Sequence, residues 1–161
     1  MNPDRTLLYV GGLCIGIVAG MRSLTALAVV CWAIRLGWLD LTGFRLAFLG
    51  STPACIVVSL LALGEIINDK LPNTPNRTDA IPFGARLVTG MLSAMIIFMS
   101  AHQSIALGLV LGLVGAFIGT YGGFHIRYYL VKDRGLPDLV VAIVEDIVAV
   151  GGGFLLVSHL F

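Results

Sequence analysis

Five times along this chain, apolar residues run on for about the thickness of a lipid bilayer. A hydrocarbon core of about 30 Å takes roughly 20 apolar residues in helical form. Residues 6–35, 46–69, 84–101, 104–131 and 138–159 each read as such a stretch. They predict an all-α, polytopic membrane helix bundle of about five transmembrane helices, a single transmembrane domain over residues 1–161. The first and fourth stretches outrun the hydrocarbon at about 1.5 Å per residue, so each must tilt, kink or break.

Composition agrees. Charged residues make up 12% of the chain and hydrophobic ones 58%, and the mean hydropathy is +0.98. Soluble domains carry roughly 25% charged residues, so lipid is the solvent for much of this surface. A net charge of +1 supplies no basic stripe for nucleic acid. Cys14, Cys31 and Cys55 lie inside apolar runs without CxxC spacing, as small buried hydrophobes do. Arg22 closely follows the first apolar run and no Ala-x-Ala site precedes it, which favours an uncleaved first span over a signal peptide.

Lysine and arginine set the expected orientation. With the N-terminus cytoplasmic, the inner segments hold Arg5, Lys70, Arg77, Arg86, Arg127, Lys132 and Arg134, and the outer ones hold Arg35 and Arg45. An odd number of spans then places the C-terminus outside.

Gly12, Gly16 and Gly20 recur every four residues, and Gly108, Gly112, Gly115, Gly119 and Gly122 or Gly123 at three and four. Such faces let helix backbones approach closely, within one chain or across a homo-oligomer seam. Gly16-Ile17-Val18-Ala19-Gly20-Met21-Arg22-Ser23 is echoed by Arg86-Leu87-Val88-Thr89-Gly90-Met91-Leu92-Ser93, and an acid-bearing helix follows each, with Glu65 and then Glu145. The echo suggests two weak repeats of the inverted kind found in transporters.

Charge at bilayer depth costs roughly 2.5–3.5 kcal/mol on insertion scales and normally pairs or lines a wet cavity. Arg22 lies deepest in the first stretch. Glu65 and Asp69, four apart, share a helix face. Glu145 and Asp146 lie about two turns into the last stretch, and His125 and Arg127 end the fourth. Histidine titrates near neutrality, which makes His125 a candidate proton carrier. These residues predict a polar pocket open to the cytoplasm, with Arg22 paired to Glu145 or Glu65. The Pro/Asn/Thr-rich cytoplasmic loop 70–83 joins the two halves and offers Arg77 as an anion or acid partner.

Gly20-Met21-Arg22-Ser23, the run from Glu65 through Asn68, Asp69, Pro72, Asn73, Pro75, Asn76 and Arg77 to Thr78, and Leu136-Pro137-Asp138 with Glu145-Asp146 together carry a resemblance. They resemble an uncharacterised family of small bacterial multi-pass membrane proteins known as a domain of unknown function. The resemblance covers most of the chain and implies a bacterial inner-membrane protein. It supplies no activity, and it favours the same polar residues that the depth argument selects.

Three functions fit these residues. The first is a small transporter or channel, with Glu65 and Glu145 binding a cation or proton and Arg22 neutralising them. The second is an enzyme acting on a lipid or prenyl phosphate headgroup, using a divalent cation at Glu65, Asp69, Glu145 and Asp146, with Arg77 and Arg127 on the phosphate. The third is a non-catalytic membrane subunit whose charges only pair with one another. His102, His125 and His159 are too scattered for a histidine metal site, and no serine–histidine–acid set, phosphate-binding glycine loop or haem motif is present.

Overall fold

The computed structural model describes residues 4–70 and 78–160, and every regular element among them is helical. The helices are α1 Arg5–Met21, α2 Ser23–Arg35, a 3₁₀ segment Arg45–Gly50, α3 Thr52–Asn68, α4 Ala80–Ser100, α5 Ile105–Tyr128 and α6 Asp138–Leu160. A wider π-type turn, Tyr129–Asp133, prolongs α5. Three helices are long and apolar enough to cross a bilayer: α4, α6 and α5 with its extension, Ile105–Asp133 at 29 residues. The apolar helices α1, α2 and α3 are shorter, at 17, 13 and 17 residues.

The helical membrane bundle matches expectation, and the long first stretch does break, but the chain's direction after the break is not that of a single crossing. Residues 6–35 form two helices separated by Arg22, whose backbone is extended at φ −141°, ψ 105°. The two helices run in opposite directions. Tyr9, near the start of α1, stacks on Phe98 with ring centroids 6.1 Å apart. Asp40, beyond the end of α2, donates its N–H to Ser100 Oγ at 3.0 Å, so the chain returns to the same end of α4. Midway, a Cβ on Gly153 would meet Val18 and Val29 together.

That reversal corrects the topology. Six helical segments alternate in direction among the described residues, and the even number brings the start of α1 and the end of α6 to one face. A Cβ on Gly11 would strike the side chain of Leu160. The start of α1 and the end of α6 therefore do not lie at opposite ends of the bundle as a single crossing would require, because the first stretch folds back on itself. The face with the start of α1, the 101–104 turn and the end of α6 is here the terminal end. The face with Lys70, Arg127, Lys132 and Arg134 is the basic end.

Glycine explains how α1, α4 and α5 pack so closely. A Cβ at Gly16 would lie 2.6 Å from Gly112 O, and one at Gly90 would lie 2.9 Å from the same oxygen. Cβ atoms at Gly115 and Gly119 would collide with the carbonyls of Leu13 and Ile17. Gly16 and Gly20 of α1 and Gly112, Gly115 and Gly119 of α5 thus meet neighbouring backbones within the chain. In lipid such contact is held by close packing, since lipid tails are as apolar as the side chains.

Local signals set the other boundaries. Ser51 caps α3, its Oγ accepting from Ala54 N at 3.4 Å, and Pro53 sits in the first turn. α4 starts at Ala80, ahead of the expected 84, because Pro82 is tolerated in a first helical turn. The 101–104 turn closes on His102 at φ +51°, a left-handed residue ending α4.

Three helices precede the 70–79 connection and three follow it, in opposite senses. Even so, Glu65 and Glu145 both lie at the basic end, whereas equivalent residues of an inverted repeat fall at opposite ends. The sequence echo therefore does not mark equivalent positions.

Candidate functional site

The break at Arg22 exposes two sets of backbone groups that a continuous helix would satisfy internally. Arg22 N–H still bonds Val18 O at 2.8 Å, closing α1. The carbonyls of Gly20 and Met21 accept Arg86 Nη1 at 2.8 and 2.6 Å, and Gly20 O also accepts Thr120 Oγ1 at 3.2 Å. At the start of α2, Glu65 accepts the N–H groups of Ser23 and Leu24 at 2.9 and 2.8 Å, and Ser23 Oγ at 2.9 Å. A carboxylate thus caps a helix N-terminus and a guanidinium caps a C-terminus, each at the favourable pole of the helix dipole. Arg86 Nη2 and Glu65 Oε1 stand 3.9 Å apart.

The side chain of Arg22 points the other way, into a chain of alternating charges, and is 0% exposed. Its Nη1 meets Asp69 Oδ2 at 2.5 Å and its Nε meets Asp146 Oδ1 at 2.7 Å. Lys70 Nζ holds the other oxygen of Asp146 at 2.7 Å. Arg127 joins Asp69 at 3.4 Å, grips Asp138 through Nε at 2.9 Å and Nη2 at 2.8 Å, and stands 3.9 Å from Glu145 Oε2. This network ties together the α1–α2 break and helices α3, α5 and α6.

The structure therefore gathers Arg22, Glu65, Asp69, Arg127, Glu145 and Asp146 at one end of the bundle. The pairing differs from expectation: Arg22 binds Asp69 and Asp146, while Glu65 is occupied by backbone N–H groups and Glu145 faces Arg127. His125 lies apart, exposed, its Nδ1 2.7 Å from Tyr121 O of its own helix. Arg77 and residues 71–76 of the loop lie outside the described residues.

Three participants escaped the sequence reading: Arg86, Asp138 and the bonding role of Lys70. Arg86 carried a usable signal. It is 3% exposed and sits one to two turns into an apolar helix, so the cost that singles out Arg22 singles it out equally.

Two cavities adjoin the network. A polar pocket of about 220 Å³ at the basic end is lined by Ser23, Glu65, Asn68, Asp69 and Arg86, with Pro82 and Ala85. A second space of about 430 Å³ lies between α5 and α6, lined mostly by glycine, valine, leucine and isoleucine, with Arg127 and Glu145 in its wall. Glu65 and Glu145 thus border different cavities, joined through the charge chain. Among the described residues, no three His, Cys, Asp or Glu side chains come together to hold a metal ion. Arg22 lies between Asp69 and Asp146, two of the four acids expected to hold a divalent cation.

Neither a curated protein nor a solved structure matches the chain. One family does match, over residues 10–159, and it spans the helix break, the charge network and both cavities. The chain belongs to that family, the domain of unknown function DUF4126.

Proposed function

We propose that this protein is a small membrane transporter that moves a proton or monovalent cation through the polar centre at its basic end. The observation that carries the reading is the helix break at Arg22. Discontinuous helices whose ends meet inside the membrane mark ion and substrate sites in transporters. Here the break adjoins a polar pocket lined by Glu65 and Asp69. Movement of α1 or α2 would have to exchange the Arg22–Asp69 and Arg22–Asp146 pairs, so charge transfer and helix motion are coupled. The basic end is the cytoplasmic one in this reading, since Lys70, Arg86, Arg127, Lys132 and Arg134 outnumber Arg5, Arg35 and Arg45 at the other. Both termini then face outward, in a bacterial inner membrane.

In proteoliposomes under an imposed pH or sodium gradient, the purified protein should dissipate the gradient. Glu145→Gln should lower that rate at least tenfold with thermal stability retained. Equal leak from empty liposomes and from liposomes bearing the protein would refute the reading. A second reading, a non-catalytic subunit, is favoured by one observation: Glu65, Asp69, Asp138, Glu145 and Asp146 each meet a cation or backbone N–H. It predicts no flux.

A further inference from the structure

The space between α5 and α6 has a shape that the charge network does not explain. Gly122, Ile126 and Leu130 line it from α5 and its extension, and Leu136, Val140 and Val144 from the α6 side. A Cβ at Gly122 would meet nothing within 4 Å, so the helix surface here is hollow. Val140 and Val144 are 49% and 54% exposed, and the groove opens sideways on helices that cross the bilayer.

Its dimensions fit one leaflet. The α5 wall runs from Gly119 to Leu130, roughly 17 Å of helix, against a half-core of about 15 Å. Its volume of about 430 Å³ holds on the order of fourteen groups of water or methylene size.

The mouth is basic. Between Leu130 and Leu136 the chain turns through Lys132, Asp133 and Arg134, all exposed. Arg134 is held in place there: its Nε donates to Tyr129 Oη at 2.8 Å, and its guanidinium lies 5.4 Å over the Tyr129 ring. Arg127, deeper in the wall, is committed to Asp138.

We propose that this groove seats a hydrocarbon chain of an anionic phospholipid from the leaflet at the basic end, with its phosphate against Lys132 and Arg134. Hydrocarbon in the groove supplies the fit, and the two cations at its mouth supply selectivity. Basic clusters at the ends of membrane helices recognise anionic headgroups in this way, each cation contributing about fivefold in affinity. The inference is independent of transport.

The test is native mass spectrometry of the full chain in detergent, titrated with phosphatidylglycerol or phosphatidylcholine of matched chains. One phosphatidylglycerol should be retained per protein, in preference to phosphatidylcholine by on the order of tenfold or more. Lys132→Gln with Arg134→Gln, both on the exposed turn, should bring phosphatidylglycerol down to the phosphatidylcholine level. Gly122→Phe, which fills the groove, should reduce retention of both lipids. Equal retention of the two lipids by the unaltered chain would overturn the proposal, as would undiminished phosphatidylglycerol on the double variant.

Discussion

Arg22 shows how one residue decides the architecture around it. A buried guanidinium is tolerated only with charged partners, and breaking such a set by removing one member typically costs 3–5 kcal/mol. Arg22→Met leaves Asp69 and Asp146 facing each other, with Lys70 and Arg127 in partial compensation, so a loss of about 3 kcal/mol is expected. Thermal unfolding in detergent would show it as a clear drop in Tm. Adding Asp146→Asn should recover part of the loss, and a fully additive double variant would deny the pairing. At the terminal end, Asp40 accepts from Thr42 N at 2.8 Å and Thr42 Oγ1 at 2.6 Å. These bonds, the side-chain one foremost, hold its carboxyl below the ordinary aspartate value. A folded value below the unfolded one means that the turn is fully supported above the ordinary value and loosens as pH falls through the depressed one. NMR titration of the Asp40 carboxyl should give a lowered midpoint, and Thr42→Val should raise it.

At the scale of elements, the glycines on α1 and α5 act by the absence of a side chain. Gly119 has the carbonyl of Ile17 where a Cβ would stand, so alanine there forces two backbones apart. Gly119→Ala should cost about 1–3 kcal/mol, the range for overpacking a close contact. Gly64 on α3 meets nothing within 4 Å, and Gly64→Ala should leave stability unchanged or slightly raised through helix propensity. Thermal melts of the two single variants make the comparison, and equal effects would contradict the α1–α5 seam. α1 and α2 illustrate a different balance. Their helix ends lie inside the bundle, which is tolerable only because Glu65 and Arg86 satisfy the exposed backbone groups.

For the whole molecule, the consequence is topological. With α1 and α2 as a hairpin, the start of α1 and the end of α6 share one face and the Lys132 turn lies on the other. In a background with Cys14, Cys31 and Cys55 replaced, an impermeant thiol reagent should label Asp4→Cys and Ser158→Cys from the same side of sealed vesicles. Lys132→Cys should react only from the opposite side. Labelling of the Asp4 and Ser158 positions from opposite sides would restore the single crossing expected of residues 6–35.

The order of apolar stretches and the sparsity of charge determined a helical bundle in lipid, because the bilayer core demands apolar surface and internally bonded backbone. The same energetics made Arg22, Glu65, Asp69, Glu145 and Asp146 legible as a group, since each is too costly to leave alone at depth. What the chain could not announce by itself was the hairpin at Arg22. A run of thirty apolar residues looks the same whether it crosses once or turns back, and the turn depends on Glu65 and Arg86, more than forty and sixty positions away, capping the cut ends. Partner choice among the charges was equally hidden. It follows from how distant helices meet, and only the folded arrangement of the α1–α2 break, α3 and α6 sets Arg22 between Asp69 and Asp146.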